Sequence, residues 1–397
     1  MKVIIDEQQI DELLNRGIEN IFPNREFLKS KMMKGEKLTF YLGIDPTGPT
    51  LHMGHVIPIL KLAKFQKLGH QIILLMGDFT AMIGDPTDKT ATRKKLTHKE
   101  VMKNLKEYKK QASRFISFSG SNKAQFKFNS KWLAKMKFSD VLDLASEMTV
   151  EQMLKRDMFY RRTQEGKPIY IHEFLYPLMQ GYDSVAMDVD GEIGGNDQTF
   201  NMLAGRDLMK SLKNKEKFVL ATKLLVDSTG AKMGKTENNM ISLDQSASEM
   251  FGKVMSWTDS LIIPGFEIIS EVPLAEIETM KNSLSSGQNP RDLKIKLARE
   301  IVRMYHGEKE SKKAEDNFIN TFQKKEIPED IQEVSGEGRS LDVLVASGVA
   351  ESISAARRLF DAGAVSDMNT SQKLTQDDKF EKGHVYKIGK HKFLKIK

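Results

Sequence analysis

The chain has 397 residues, of which 40% are apolar and 29% are charged, with no cysteine and a formal net charge of +7. This length allows roughly two or three domains, and the lack of cysteine excludes disulfides, thiolate catalysis and cysteine-based metal sites. No apolar run approaches the ~18 residues that a membrane span needs, so no membrane partner is expected. Four acids precede Arg16, unlike a signal or transit peptide, and we therefore expect a cytoplasmic protein. The positive charge suits a polyanionic partner or, equally, a lysine-rich solubilising surface.

The first predicted elements are helical and lead into a strand. Residues 1–37 predict an amphipathic helix, on whose apolar face Ile10, Leu13 and Leu14 lie, followed by a basic run. Residues 38–44 predict a strand.

A short loop joins this strand to a helix predicted over residues 55–68. Its last residues include His52, Gly54 and His55. The two histidines, three positions apart, project from one helix face, and Gly54 lets a bound group approach the backbone. Free N–H groups and the helix dipole favour anions here, which predicts a site for a flat ring or a phosphate. The alternative is a turn whose histidines merely cap the helix.

The apolar segment 71–76 predicts a strand covered on both faces, as in a parallel sheet. With the preceding strand and helix it predicts a βαβ unit, in which ligands bind at the carboxyl ends of the strands. Residues 94–118 predict a basic helix, and helical signals continue to Arg162.

One helix in the middle of the chain presents three different hydrogen-bonding groups on one face. Tyr176, Gln180 and Asp183 are spaced i, i+4 and i+7. Because their flanking residues are mostly apolar, a polar pocket is favoured over a solvent-facing stripe. The glycine-rich loop 194–198 follows and ends at Gln198.

A strand predicted over residues 218–226 leads into a polar, glycine-broken loop that carries Lys232 and Lys235. Alone, these lysines would indicate a surface turn. With the histidines they suit nucleotidyl transfer, where positioning and electrostatics supply nearly all the catalysis, and such a loop can open to release pyrophosphate. The eight histidines show no metal-ligand spacing, so no protein-bound metal is expected beyond Mg²⁺ arriving with a nucleotide.

The last third of the chain divides into helices, a linker and a basic module. Residues 246–323 are rich in helical signals, and residues 326–337 predict a linker. Two short helices and several strand-like segments follow in residues 338–397, where six lysines and no acid come after Glu381. Basic residues that alternate with apolar or aromatic ones on a short sheet suit a phosphate backbone.

Five segments together resemble the bacterial tyrosyl-tRNA synthetases, a family of class I aminoacyl-tRNA synthetases, over essentially the whole chain. They are YLGIDPTGPTLHMGH, IGDPTDK, YPLMQGYD, GGNDQ and KMGKT. The first usually ends His-Ile-Gly-His and the last usually runs Lys-Met-Ser-Lys-Ser, so Met53, Gly234 and Thr236 are mild departures. NPRDLKIKLAREIVRMYHG resembles the helical domain of the family, and the last sixty or so residues resemble a small RNA-binding fold shared with certain ribosomal proteins.

The resemblance implies a role for each candidate site residue. Tyr41 and Asp183 would bind the phenol of tyrosine, and the residue types agree because a phenol needs both a donor and an acceptor. The other residues implied for tyrosine are Asp85, Tyr176 and Gln180 at the ammonium group and Gln198 near the carboxylate. The residues implied for ATP and catalysis are Asp45, Thr47, His52, Gly54, His55, Lys232 and Lys235, with Lys89 and Arg93 as further basic candidates.

The predicted fold is α/β with four parts. They are a Rossmann-like, parallel-sheet nucleotide-binding domain (1–226), a loop and helical domain (227–325), a linker (326–337) and a small α+β RNA-binding module (338–397). The resemblance implies that L-tyrosine and ATP form tyrosyl-adenylate and pyrophosphate, and that tyrosine then passes to the 3′-terminal adenosine of tRNA(Tyr). It also implies a homodimer.

Three alternatives remain to be compared with this prediction. A tryptophan-specific synthetase shares both signatures, but the pair Tyr41 and Asp183 argues against it. A nucleotidyltransferase that makes a small-molecule cofactor could share the histidine motif, but it needs no helical domain or RNA module. A non-catalytic RNA-binding protein would not need the intact histidines, lysines and pocket residues.

Overall fold

The computed structural model describes residues 2–85, 96–226, 241–323, 331–336, 339–370, 372–389 and 392–397. Contacts group the chain into two compact units. The first comprises Met1–Asp244 and Thr258–Gln288, and the second comprises Gln245–Trp257 and Asn289–Lys397. The four-part division drawn from the sequence stays a prediction. Within the described residues, no helix is both long enough and apolar enough to span a bilayer.

The strands belong to two sheets. In chain order they are β1 (Ile18–Phe22), β2 (Thr39–Ile44), β3 (Gln71–Met76), β4 (Gln125–Phe128), β5 (Gly191–Gly195), β6 (Phe218–Thr222), β7 (Gln332–Val334), β8 (Val365–Asp367), β9 (Val385–Ile388) and β10 (Lys392–Ile396).

The α-helices of the described residues alternate with these strands or follow them. Up to the end of the first sheet they are α1 (Glu7–Asn15), α2 (Arg25–Met33), α3 (Met53–Lys67), α4 (Thr80–Ile83), α5 (His98–Leu105), α6 (Tyr108–Ala112), α7 (Ser130–Leu133), α8 (Phe138–Ser146), α9 (Val150–Leu154), α10 (Asp157–Gln164), α11 (Ile171–Met187) and α12 (Thr199–Lys213). Beyond it they are α13 (Ala247–Met255), α14 (Ile262–Ile269), α15 (Leu274–Ser285), α16 (Pro290–His306), α17 (Glu308–Gln323), α18 (Ser340–Ala346) and α19 (Ile353–Asp361).

The first unit is built on a six-stranded sheet in the order β1-β6-β5-β2-β3-β4. Strand β1 is antiparallel to β6, and the other neighbouring strands are parallel. Helix α3 connects β2 to β3, whose register runs from Thr39 opposite Gln71 to Ile44 opposite Met76. The predicted βαβ unit and the Rossmann-like α/β class are therefore confirmed.

The strands of the βαβ unit are apolar because both faces of the sheet are covered. Residues 72–76 of β3 are all buried, as a central parallel strand requires. Helix α3 begins two residues before the predicted start, so Pro58 falls in its second turn. Because proline has no backbone N–H, the carbonyl of Gly54 in the first turn of α3 receives no helical hydrogen bond from residue 58. Gly69, with φ +93°, ends the connection in a conformation that favours glycine.

Several elements of this unit differ from the prediction. Strands β1 and β4 lie in stretches predicted to be helical, and the predicted basic helix is the two shorter helices α5 and α6. Strand β5 ends inside the glycine-rich loop predicted over residues 194–198. A Cβ at Gly191 of β5 would collide with the ring of Phe40 on β2, so close packing against the neighbouring strand selects glycine despite its low strand propensity.

The second unit contains helices and a small sheet. Helix α13 packs against α16 and α17, as the helical signals predict for this region. The C-terminal residues form a sheet in the order β7-β10-β9-β8 with α18 and α19, and both predicted short helices are present. Leu344, Phe360, Tyr386 and Leu394 belong to its buried core. Strand β7 lies within the stretch predicted as linker and pairs in parallel with β10.

Candidate active site

A cavity of about 350 Å³ lies at the carboxyl ends of β2, β3, β5 and β6. Strand β2 and the loop after it supply one wall, helix α11 supplies another, and the segment after β5 supplies a third. Eleven residues predicted from the sequence lie on its surface: Tyr41, Asp45, Thr47, His52, Gly54, His55, Asp85, Tyr176, Gln180, Asp183 and Gln198. The structure therefore brings them together in one place. Lys89, Arg93, Lys232 and Lys235 lie outside the described residues.

The deep end of the cavity holds a buried hydroxyl and a buried carboxylate. The hydroxyl of Tyr41 and Oγ of Ser184 are 2.9 Å apart and share a hydrogen bond. Asp183 accepts hydrogen bonds from Trp132 Nε1 at 2.8 Å and from Asn129 Nδ2 at 3.2 Å. Tyr41 and Asp183 have exposures of 0% and 3%, so any group that meets them must leave water entirely.

Burial changes the acidity of both groups in the same direction. It raises the pKa of Tyr41 well above its usual value, and the nearby carboxylates of Glu192 and Asp183 add to that effect, so the phenol keeps its proton. Burial likewise raises the pKa of Asp183, while the N–H groups of Trp132 and Asn129 oppose the change by stabilising the carboxylate. This end of the cavity thus offers one fixed donor-acceptor hydroxyl and one carboxyl group.

Asp45 connects the loop after β2 to helix α11. Its Oδ2 accepts from the hydroxyl of Tyr176 at 2.8 Å, and its Oδ1 accepts from Thr80 Oγ1 at 2.7 Å. Burial and the charge of Asp45 raise the pKa of Tyr176 well above its usual value. A Cβ at Gly77 would collide with both Asp45 and Thr80, so this bond requires glycine at the end of β3.

Two glutamine side chains occupy the middle of the cavity. Gln180 Nε2 donates to Glu192 Oε1 at 3.0 Å, and Gln198 Nε2 donates to Asp85 Oδ2 at 2.8 Å. The buried amide of Asn201 donates to the carbonyl oxygens of both glutamines, each at 3.0 Å. Both glutamine amides are therefore held by a carboxylate on one side and by Asn201 on the other.

Each of these carboxylates pairs with a buried cation. Asp85 Oδ1 accepts from Arg156 Nη2 at 3.2 Å. Glu192 pairs with Lys217, whose ammonium also donates to the Met202 carbonyl at 3.1 Å. Lys217 has no exposed surface, and burial lowers its pKa while the charge of Glu192 opposes that change.

The outer end of the cavity is the beginning of helix α3. His52 is the N-cap residue, and its backbone N–H donates to Nδ1 of His55 at 3.3 Å. The two imidazole rings lie with their centroids 3.8 Å apart. Both side chains are half-buried and Thr47 is exposed, so these groups remain accessible to an anion at the helix N-terminus.

Several residues of the site were missed in the sequence. Ser184 directly follows a predicted site residue, and Lys217 is a lysine at the edge of an apolar strand, which is an unusual position that could have been noticed. The others, Asn129, Trp132, Arg156, Glu192 and Asn201, act through tertiary contacts that no local pattern indicates. Within the described residues, no group of three or more His, Cys, Asp or Glu side chains could hold a metal ion.

Comparison with known proteins shows which family the chain belongs to. The family model "tRNA synthetases class I (W and Y)" matches residues 33–323. The chain is 42% identical to the tyrosine–tRNA ligase of Carboxydothermus hydrogenoformans over 97% of both chains. It is 43% identical to that of Haemophilus ducreyi over 96% of both chains.

Solved structures share the fold at lower sequence identity. A C-terminally truncated mitochondrial tyrosyl-tRNA synthetase from Aspergillus nidulans superimposes with a TM-score of 0.68 and 23% identity, over 79% of this chain and 94% of that one. The tyrosyl-tRNA synthetase of Archaeoglobus fulgidus, solved with L-tyrosine, gives a TM-score of 0.62 and 22% identity, over 78% and 100%. The chain belongs to the class I tRNA synthetases of the tryptophan and tyrosine group and, within it, to the tyrosine–tRNA ligases.

Proposed function

We propose that this ligase activates L-tyrosine inside the cavity at the carboxyl ends of the parallel strands. The main support for this proposal is that one cavity contains both the buried pair Tyr41 and Asp183 and the start of helix α3, which His52 and His55 flank. The first feature suits a phenol and the second suits a phosphate. Tyrosine activation requires both groups in one site.

At the deep end, the phenol of the substrate would lie between Tyr41 and Asp183. Asp183 would accept the phenolic hydrogen, and the Tyr41 hydroxyl would donate to the phenolic oxygen. Phenylalanine fills the same space and offers neither partner, so these desolvated groups would lose hydrogen bonds on its binding.

In the middle of the cavity, the ammonium and carboxylate of tyrosine would meet the polar groups around the glutamines. We assign the ammonium to Asp85, Tyr176 and Gln180, which supply a carboxylate, a hydroxyl and a carbonyl oxygen. We assign the carboxylate to the neighbourhood of Gln198, which also lines the cavity.

The reaction then needs little acid–base chemistry. A carboxylate oxygen of tyrosine attacks the α-phosphorus of ATP, the α–β phosphoanhydride bond breaks, and pyrophosphate leaves while tyrosyl-adenylate remains. His52 and His55 would donate hydrogen bonds to the phosphates as charge shifts toward the leaving group, with Asp45, Thr47 and Gly54 around the nucleotide. In the second step a ribose hydroxyl of the 3′-terminal adenosine attacks the tyrosyl carbonyl, and AMP leaves.

Basic residues from two further segments complete the proposal. Lys232 and Lys235 would hold the pyrophosphate in the transition state, and Lys89 and Arg93 would assist them. This assignment rests on the sequence resemblance, because these residues lie outside the described part of the chain. Mg²⁺ would enter as the counter-ion of ATP, whose phosphates it prefers as ligands.

The C-terminal module is proposed to bind the tRNA. On one face of its sheet, Lys387 of β9 lies opposite Phe393 of β10, with the lysine nitrogen 6.0 Å from the ring centroid. Lys395 lies on the same face, whereas Leu394 is buried beneath it. Lysines beside a half-buried aromatic ring suit a phosphate backbone and an unstacked base.

A second copy of the chain is the partner proposed for an apolar surface of the first unit. Six of the fourteen exposed large hydrophobic side chains in the described residues lie between positions 138 and 171. Phe138 and Ile171 are 77% and 81% exposed. Their sequence neighbours on α8 and α11 line an apolar cavity of about 330 Å³. A symmetric contact would bury the same surface on both chains, and we propose a cytoplasmic homodimer.

Tyrosine-dependent exchange of labelled pyrophosphate into ATP tests the assignment without tRNA. Exchange is expected with tyrosine and not with tryptophan or phenylalanine, because only tyrosine satisfies the buried hydroxyl–carboxylate pair. Exchange that depends on tryptophan and not on tyrosine would contradict the proposed site.

A further inference from the structure

We propose that the buried pair Glu192 and Lys217 determines which way the Gln180 amide faces, and so acts as a positioning device for the ammonium group of the substrate. This inference rests on the proposed function of the cavity. Neither residue is assigned a contact with tyrosine. Their effect on the ammonium group passes through the hydrogen bond from Gln180 Nε2 to Glu192 Oε1, which is 3.0 Å long. Glu192 also acts on Tyr41 at the phenol end, so the test must separate the two ends of the substrate.

The two residues form one end of a continuous hydrogen-bonded chain, four of whose members line the cavity. Its members in order are Lys217, Glu192, Gln180, Asn201, Gln198, Asp85 and Arg156. A cation stands at each end, a carboxylate comes next, and two glutamine amides meet at the amide nitrogen of Asn201. The glutamine side chains can each adopt two orientations, related by a flip that exchanges oxygen and nitrogen.

The carboxylates remove this ambiguity. A carboxylate only accepts hydrogen bonds, so Glu192 must face the NH₂ group of Gln180. The carbonyl oxygen of Gln180 then points the other way, where it accepts from Asn201 at 3.0 Å and keeps a second lone pair for another donor. An ammonium group is such a donor, whereas the opposite flip would present N–H groups to it.

Lys217 is needed because Glu192 is 2% exposed. An unpaired carboxylate at that depth would be strongly unfavourable as an anion. The ammonium of Lys217 therefore lets Glu192 remain a pure acceptor. The ammonium of Lys217 fits only because α12 carries a glycine beside it. A Cβ at Gly205 would approach the Lys217 nitrogen and the Gly181 backbone too closely.

Glu192→Gln tests this role with almost no change in size. Lys217 would take the carbonyl oxygen of the new side chain, whose NH₂ group would face Gln180 and reverse its amide. Calorimetry should measure the Kd of tyrosine and of 3-(4-hydroxyphenyl)propionate, which lacks only the ammonium group. We expect the variant to weaken tyrosine binding on the order of 10-fold or more, and the analogue less than about 3-fold.

A second substitution should reverse the effect. In Glu192→Gln combined with Lys217→Met, the carbonyl of the new glutamine is released to accept from Gln180, so tyrosine affinity should recover toward that of the unsubstituted chain. Lys215→Met is the matched control, because Lys215 pairs with Asp188 and Asp190 rather than with a cavity residue. It should leave both Kd values unchanged.

The outcomes separate the two proposals. Equal weakening of tyrosine and of the analogue, or no weakening of either by Glu192→Gln, would overturn the positioning role, because a general disturbance does not select the ammonium group. If the double variant fails to fold, the Kd of tyrosine relative to that of the analogue in Glu192→Gln still tests the positioning role. No tyrosine binding by the unsubstituted chain would instead overturn the proposed function itself.

Discussion

In the proposed site, Asp183 and Tyr41 would divide the recognition of the substrate phenol between a carboxylate and a hydroxyl. Trp132 and Asn129 fix the orientation of Asp183, and Ser184 fixes that of Tyr41. Because these partners are themselves buried or half-buried, the site cannot rearrange cheaply around a ligand that lacks a hydroxyl.

Asp183→Asn should reduce the preference for tyrosine over phenylalanine. The amide would present an N–H group as well as an oxygen, and it would lose one acceptor that serves Trp132 or Asn129. A change on the order of 10- to 100-fold in the ratio of kcat/KM values is expected, measured by pyrophosphate exchange with both amino acids. Asp207→Asn, on α12 and outside the cavity lining, serves as the control. An unchanged ratio would show that Asp183 does not read the phenol.

His52→Asn tests the phosphate role separately from the helix cap. Asparagine is a preferred N-cap residue, so α3 should still begin at Met53. Loss of the imidazole should lower kcat for exchange on the order of 10²-fold while the KM for tyrosine changes little. A raised KM for tyrosine with an unchanged kcat would contradict a role in the transition state.

At the level of elements, the sequence predicted helices and central strands better than edges. The α11 face carrying Tyr176, Gln180 and Asp183 follows directly from helical spacing. Strand β5 could not be predicted, because its first residue, Gly191, is selected by contact with Phe40 of another strand. The chain of Asn201, Glu192 and Lys217 was missed for the same reason, since its order exists only after α11, α12, β5 and β6 have packed together.

The edge of β9 carries an ion pair that should make the C-terminal module sensitive to pH. His384 Nδ1 lies 2.7 Å from Asp367 Oδ2. This hydrogen bond raises the pKa of His384 above 6.5. Burial alone would raise the pKa of Asp367, but the hydrogen bonds from His384 and from two backbone N–H groups outweigh burial and lower that pKa from 3.8. The stabilisation from His384 is complete below 6.5 and is lost as the pH rises through its raised pKa.

Asp367 has the opposite sign: its contribution is complete above 3.8 and is lost as the pH falls through its lowered pKa. The pair is therefore most stabilising between these limits. Hydrogen exchange of β9 amides in the full chain, corrected for intrinsic rates, should show about two- to five-fold more opening at pH 8.5 than at pH 5.5. Asp367→Asn should remove the difference, whereas Asp377→Asn, an exposed acid, should keep it.

For the whole molecule, the apolar surface around α8 predicts an oligomeric state. Phe138→Asp combined with Leu142→Asp should shift sedimentation from dimer to monomer, because two charges would face an apolar partner surface. Leu274→Asp is the matched control, since Leu274 is 40% exposed at the start of α15, a helix that packs against α14. If the Phe138→Asp, Leu142→Asp variant stays dimeric while the control variant becomes monomeric, the contact between the two chains lies elsewhere.

The basic module should matter for tRNA and not for adenylate formation. Deleting residues 338–397 is expected to leave tyrosine-dependent pyrophosphate exchange within about two-fold, because every cavity residue lies in the first unit. Aminoacylation should fall at least about 10-fold and become less sensitive to salt, as phosphate contacts are lost. Unchanged aminoacylation would show that these lysines only solubilise the chain.

The contact of Gly205 with Gly181 and Lys217 has a consequence for protein engineering. Attempts to widen the pocket for larger amino acids would naturally repack α11 against α12. A methyl group at Gly205, however, would press on the buried Lys217 ammonium and so alter charge as well as shape, and a methyl group at Gly181 would press on Leu208 and on the Gly205 backbone. Libraries that hold positions 181, 192, 205 and 217 constant, and vary the phenol end alone, should therefore retain more active members than libraries that randomise the helix contact.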